Sequence, residues 1–192
     1  TGLTSVIVPA LVTTLGNGAF EGCSALTSVT FETGSRLNSI GVNAFRKTNL
    51  ARIIVPASVT IIKARAFFFC PALTSVTFES GSQLESIGYA AFHSAYITSF
   101  IVPASVITLA EDVFWSCSLL TSVTFESGSQ LETIRKDVFR DSGLTSIIIP
   151  ASVTTIGVTA FGHCSALTSV LFRCGASALT INDAAFSGST GV

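Results

Sequence analysis

The chain has 192 residues, of which 48% are hydrophobic and only 11% charged, with a net charge of −1. Ten basic residues in small scattered groups argue against nucleic acid as a partner, because neutralising phosphates takes clustered Lys and Arg. No apolar run reaches the ~18 residues of a membrane span, and the opening "TGLTSVIVPA" lacks the basic start of a signal peptide, so neither membrane insertion nor a leader is expected.

The first unit opens at Leu3, and the same beginning returns at Leu26, Leu50, Leu73, Ile97, Leu120, Leu144 and Leu167, alternately 23 and 24 residues apart. Phenylalanines at 20, 45, 67, 92, 114, 139, 161 and 186 alternate in spacing between 25 and 22. The thirteen letters "LTSVTFESGSQLE" stand at 73–85 and again at 120–132, 47 residues and two units later. A fixed period of this size marks stacked repeats that bury together what no unit buries alone. Eight units fill residues 1–192 as one domain, with no linker.

Each unit reads alike in chain order. Leu73, Val76 and Phe78 alternate with Ser75 and Thr77, which predicts a short, half-buried strand. A turn follows, "VPAS" in odd units and "ESGSQ" in even ones, broken by Pro at 9, 56, 103 and 150 or Gly at 34, 81, 128 and 175. A second short β stretch comes next, such as "VTTI" or "LESI". A "GxxAFxxC" segment then predicts a tight helical or 3₁₀ return to the next strand. Stacking aligns the units in columns: the opening Leu or Ile, the Val/Ile at 6, 29, 53 and onward, the alternating Val8 and Phe31 positions, the Leu15 and Ile40 positions, and the phenylalanines.

The unit "LTSIIIPASVTTIGVTAFGHC" (144–164) resembles the BspA-type leucine-rich repeats, the Treponema pallidum class, whose pattern is LxxIxIPxxVTxIGxxAFxxC. The resemblance spans all eight units. It implies a β-rich, curved leucine-rich repeat solenoid with a parallel sheet on its concave side, and surface proteins of bacteria and some protists, several of them adhesins. Arg52 stands where Ser is usual, Phe100 where Val is usual, and the eighth unit is irregular in its turn.

Chemistry needs converging groups, and the columns keep them apart. Cys23, Cys70, Cys117 and Cys164 lie 47 apart, two rungs or about 10 Å in space, too far for a disulfide or a shared metal. Thr, Ala and Ser hold the same column in even units, so these cysteines read as small core fillers; Cys174 alone is a candidate reactive thiol. His93 and His163 are three units apart and cannot share a metal. Glu32, Glu79 and Glu126 form a column with a spacing of about 10 Å, near the range of an inverting glycosidase's carboxylates, but read more simply as solvated turn residues. No catalytic residue, metal or cofactor is expected.

Two surfaces invite a partner. The outward strip of the sheet carries Ser5, Ser28, Arg52, Ser75, Ser99, Ser122, Ser146 and Ser169 beside Ile7, Thr30, Ile54, Thr77, Ile101, Thr124, Ile148 and Leu171; its centre, Arg52 to Thr124, is the candidate binding strip. Seven strand spacings make it about 34 Å long. A second patch brings Phe68, His93 and Trp115 side by side in one column, with Phe69 adjacent. The leading expectation is a non-enzymatic, extracellular or surface-borne binding module for a protein or glycan. The alternatives are a scaffold that self-associates end to end, since both termini stay in repeat phase as in a segment of a longer array, and binding to ice or crystal surfaces through the Ser/Thr columns.

Overall fold

The structure, a computed structural model, describes residues 2–173, 175 and 178–191. Cys174 lies outside the described residues. Every unit contributes a four-residue strand and then a two-residue strand. The longer ones are β1 (Ser5–Val8), β3 (Ser28–Phe31), β5 (Arg52–Val55), β7 (Ser75–Phe78), β9 (Ser99–Val102), β11 (Ser122–Phe125), β13 (Ser146–Ile149) and β15 (Ser169–Phe172). The shorter ones are β2 (Thr14–Leu15), β4 (Ser39–Ile40), β6 (Ile61–Ile62), β8 (Ser86–Ile87), β10 (Thr108–Leu109), β12 (Thr133–Ile134), β14 (Thr155–Ile156) and β16 (Thr180–Ile181). All pairing is parallel, between equivalent residues of successive units, as expected of a leucine-rich repeat solenoid of eight rungs.

The core runs the length of the stack. The opening residues from Leu26 to Leu167 are fully buried. The phenylalanine column is a ladder of near-parallel rings, from Phe20 through Phe45, Phe67, Phe92, Phe114, Phe139 and Phe161 to Phe186, with centroids 5.2 to 5.6 Å apart. Phe100, the substitution for Val, is buried against Phe92 and Phe114 at 5.3 and 4.9 Å. The Phe92–Phe114 step beside it is the widest in the ladder at 5.6 Å.

The return segment differs from the expected helical or 3₁₀ turn: no helix occurs among the described residues. Alternate residues do different work instead. Ala19, Glu21 and Cys23 donate to the carbonyls three residues back, closing successive turns, while Gly18, Phe20 and Gly22 donate across to Val42, Ala44 and Arg46 of the next rung at 2.8 Å. A helix would turn every N–H along its own axis and leave none to join the rungs. The turn chain needs φ > 0 at two residues per unit, for example Asn43 and Lys47, or Asp112 and Ser116. Asn and Asp tolerate this region better than other side chains, and Gly best.

The sheet also departs from one continuous ladder of long strands. The two-residue strands form the unbroken eight-stranded sheet, whereas the four-residue strands pair only two by two: β1 with β3, β5 with β7, β9 with β11 and β13 with β15. Proline supplies a reason. Glu32, Glu79, Glu126 and Arg173 donate their N–H to Val8, Val55, Val102 and Ile149 of the preceding odd unit at 3.0–3.1 Å. The equivalent donors in odd units, Pro56, Pro103 and Pro150, have no N–H. The bulkier Phe31, Phe78 and Phe125 also end the even strands there. At the other strand end the same alternation shows in lengths. Thr27, Thr74, Thr121 and Thr168 reach the unit before them at 2.9–3.0 Å, but Ala51, Thr98 and Thr145 at only 3.3–3.4 Å.

Candidate functional site

On the strand face, the alternation of the pleat turns Val29, Ile53, Val76, Phe100, Val123 and Ile147 into the core and their neighbours outward. Outward residues Ile7, Ile54, Ile101, Ile148 and Leu171 are 69, 58, 55, 48 and 58% exposed, far more than an apolar residue with a packing role. Between them stand Thr30, Thr77 and Thr124, all exposed, flanked by Ser28, Arg52, Ser99 and Ser122, also exposed, and the half-buried Ser75. The strip predicted from the sequence is thus present as a surface, and it is cut by the three open interfaces β3/β5, β7/β9 and β11/β13. Each opening forms a cleft on this face, one lined by Arg52, Ile54 and Glu79, one by Thr77 and Ile101, one by Thr124 and Ile148.

The glutamate column has a structural task. Glu32, Glu79 and Glu126 each accept, through Oε2, the N–H of Ala10, Ala57 or Ala104 at 3.0 Å. That N–H follows a proline, in a turn with no ladder partner of its own. The carboxylate therefore ties the turn of the first, third and fifth units to the next rung; in the eighth unit Arg173 takes the glutamate's position.

The cysteines sit at the other edge of the core. Cys70, Cys117 and Cys164 donate their thiols to the carbonyls of Phe45, Phe92 and Phe139 at 3.0–3.1 Å. In even units Thr48 and Ser189 bond to phenylalanine carbonyls from the same column, Ser142 bonds to the Cys164 sulfur, and Ala95 fills the position with no polar group. Burial pushes the thiol of Cys117 up to about 12 and raises those of Cys70 and Cys164 as well. Cys23 is buried in the same column.

The aromatic patch is a closed stack. Phe68, His93 and Trp115 follow one another with centroids 4.8 and 4.9 Å apart, all half-buried. Arg46 lies over Phe68 at 5.6 Å and Arg140 over Trp115 at 5.2 Å, so both ends carry a guanidinium. Glu21 pairs with Arg46, and Trp115 Nε1 donates to Asp141 at 3.0 Å. The ring faces are occupied from within; of the four predicted residues only Phe69, 52% exposed, stands clear. Partial desolvation, opposed by the nearby Asp112, lowers the pKa of His93. Asp112 and Asp137 beneath this column are buried acids that a charge count does not reveal. Asp112 is raised by its burial, against a hydrogen bond from Tyr89, while Asp137 accepts from Thr159 at 2.6 Å and pairs with Arg140.

Comparison with known proteins agrees with this geometry. The BspA type leucine rich repeat region matches residues 1–121 and 85–192, in six copies. The chain belongs to the BspA-type leucine-rich repeat family. Among solved structures, the pneumococcal vaccine antigen PcpA superposes with a TM-score of 0.69 at 25% identity, over 88% of this chain and 45% of that one. The Treponema pallidum leucine rich repeat protein gives 0.65 at 22% identity, over 89% and 70% of the two chains. A leucine rich cell surface protein of Faecalibacterium prausnitzii gives 0.52 at 22%, over 97% and 70%. This BspA-type chain thus spans under half of the PcpA structure. No curated protein is significantly similar to it in sequence. Among the described residues no helix is long and apolar enough to cross a membrane, and no His/Cys/Asp/Glu group is arranged to hold a metal ion.

Proposed function

We propose that this BspA-type domain is a non-enzymatic binding module of a cell-surface or secreted protein, taking a protein or glycan ligand along its strand face. The observation that carries this reading is the row of exposed, unpartnered aliphatic side chains, Ile7, Ile54, Ile101 and Ile148, set among hydroxyls on strands that pair two by two along the stack. Repeat solenoids use extended faces of this kind for recognition. Arg52 is the one charge among the outward strand residues and would orient a ligand. The likeness to PcpA, described as a vaccine antigen, supports a place at the cell surface. The aromatic column is the weaker candidate, because Phe68, His93 and Trp115 already stack on one another and on two arginines.

The test is an array of glycans and matrix proteins probed with the parent, with Ile54→Lys/Ile101→Lys, and with Trp115→Ser. The double lysine variant should lose binding while its melting temperature stays near the parent's, because both side chains point to solvent. Salt should change affinity little, since screening acts only on charge. Unchanged binding by the lysine variant, with loss in Trp115→Ser, would move the site to the aromatic column. The end rungs favour a second reading, a self-stacking scaffold: Leu11 is 75% exposed at one end, and Phe172 and Ile181 are 42% and 46% exposed at the other. Light scattering that shows mass rising with concentration would support it.

A further inference from the structure

The three open interfaces share one wall of Ser, Thr and Phe and an outward Ile, and differ at their margins. The middle cleft is lined by Ser75, Thr77 and Phe78 of β7, by Ile101 of β9, and by Glu126. Forty-seven residues earlier and later, the strands Ser28–Phe31 and Ser122–Phe125 repeat the same Ser-Val-Thr-Phe wall, facing Ile54 and Ile148; the first cleft adds Arg52 beside Glu79, and the third has Arg173 in the register that Glu79 and Glu126 hold in the other two. The clefts measure about 520, 260 and 350 Å³ in chain order. They recur every second rung, at a spacing of roughly 10 Å. The strands flanking each cleft share no ladder and are joined at one end only by the long bond from Ala51, Thr98 or Thr145, which leaves the facing strand edges between them open.

We propose that these clefts form one periodic site for an extended, uncharged β-1,4-linked glycan lying across the strands, one disaccharide to a cleft. The inference rests on the strand face being the binding surface, and it specifies the ligand. Three features favour a glycan over a protein. A β-1,4-linked chain turns over at each sugar and shows the same edge again at every second one, so its repeat, like that of the clefts, is a two-step repeat of similar length. A protein ligand presents a different side chain at each step and gains nothing from three like clefts. The lining also suits sugars: Thr and Ser hydroxyls, a carboxylate and open backbone groups for the sugar hydroxyls, and Phe and Ile for the apolar ring faces. The charges at the cleft margins, Arg52 and Glu79 in the first, Glu126 in the second, and Glu126 with Arg173 in the third, are of both signs and impose no single charge on a polymer crossing all three.

Isothermal titration with β-1,4-linked N-acetylglucosamine oligomers of two, four and six sugars tests this, with an α-1,4-linked glucose hexamer as control. Each added disaccharide should tighten binding about tenfold, as linked engagement of successive sites does, and the α-linked hexamer should bind at least tenfold more weakly. Thr77→Lys, which fills the middle cleft from an exposed position, should reduce the hexamer to the affinity of the disaccharide without lowering the melting temperature. Affinity independent of length, or equal binding of the α-linked hexamer, overturns the proposal. If no oligomer binds but a protein from the array does, and Ile54→Lys/Ile101→Lys abolishes that binding, the glycan inference falls and the strand-face reading stands. If the lysine variant binds every array ligand as the parent does, both fall.

Discussion

Replacing Phe114 by alanine tests the ladder that closes the core. Phe114 is fully buried, stacks on Phe92 and Phe139 at 5.6 and 5.5 Å, and meets Phe100 at 4.9 Å. Buried Phe→Ala changes cost about 3–5 kcal/mol, and each ring contact adds of order 1 kcal/mol beyond area. Three such contacts, in the middle of a stack that cannot collapse without moving its neighbours, place Phe114→Ala near the top of that range, about 5 kcal/mol. Phe20→Ala is the internal control. Phe20 is partly exposed and stacks on Phe45 alone, at 5.3 Å, so its loss should be about 2 kcal/mol. Urea unfolding followed by circular dichroism and by Trp115 fluorescence reads both. With an m-value of about 2 kcal/mol per molar, the midpoint should fall by roughly 2.5 M for Phe114→Ala and about 1 M for Phe20→Ala. A loss below about 1 kcal/mol for Phe114→Ala, or equal losses at the two sites, would refute a ladder of mutually supporting rings.

Glu79→Ala should cost about 1 kcal/mol by removing the acceptor for Ala57 N–H, and Glu79→Gln, which keeps an acceptor, should recover most of it in a thermal melt; equal losses in both would deny the carboxylate its tie to the turn. Cys117, with its pKa pushed up to about 12, should resist a thiol reagent at pH 8 until the chain unfolds, and rapid labelling of the folded protein would contradict its burial. The proton NMR titration of His93 should have a midpoint below the ordinary 6.5. The folded state then binds this proton less tightly than the unfolded state, so its contribution to stability is complete above about pH 6.5 and declines as pH falls from there toward the folded midpoint. His93→Gln should flatten the dependence of melting temperature on pH in that window.

The repeat, its eight rungs and five of its core columns are legible in the sequence because each column returns at a fixed offset, and burial requires that return. A further column, Val12, Leu37, Val59, Leu84, Val106, Leu131 and Val153, has the same 25 and 22 spacing as the phenylalanines and is open to the same reading. The return segment reads as helical because Ala-Phe pairs suit a helix locally. The need to send every second N–H to the next rung overrides that preference, and its sequence trace is the Gly, Asn or Asp at many of the φ > 0 positions. The alternation of closed and open interfaces is spelled by Pro56, Pro103 and Pro150, which taken unit by unit look like turn formers only. Their missing donors matter through a neighbour two dozen residues away. In the aromatic column the residues, Arg46 and Arg140 at either end included, are visible in the sequence, but not that both guanidiniums lie over the end rings, since register fixes a position and not a side chain's direction.

The alternating bond lengths give the solenoid a mechanical grain. Between units two and three, four and five, and six and seven, the long strands are unzipped and the bonds at Ala51, Thr98 and Thr145 are stretched to 3.3–3.4 Å. A tether pulling on the ends of the chain would meet these as its weak joints and peel the array in packets of two rungs, not one. Each packet of 47 residues, the distance from Glu32 to Glu79, releases about 160 Å of extended chain. A surface protein built this way would yield under shear in a few long steps, absorbing load while the remaining rungs keep their shape.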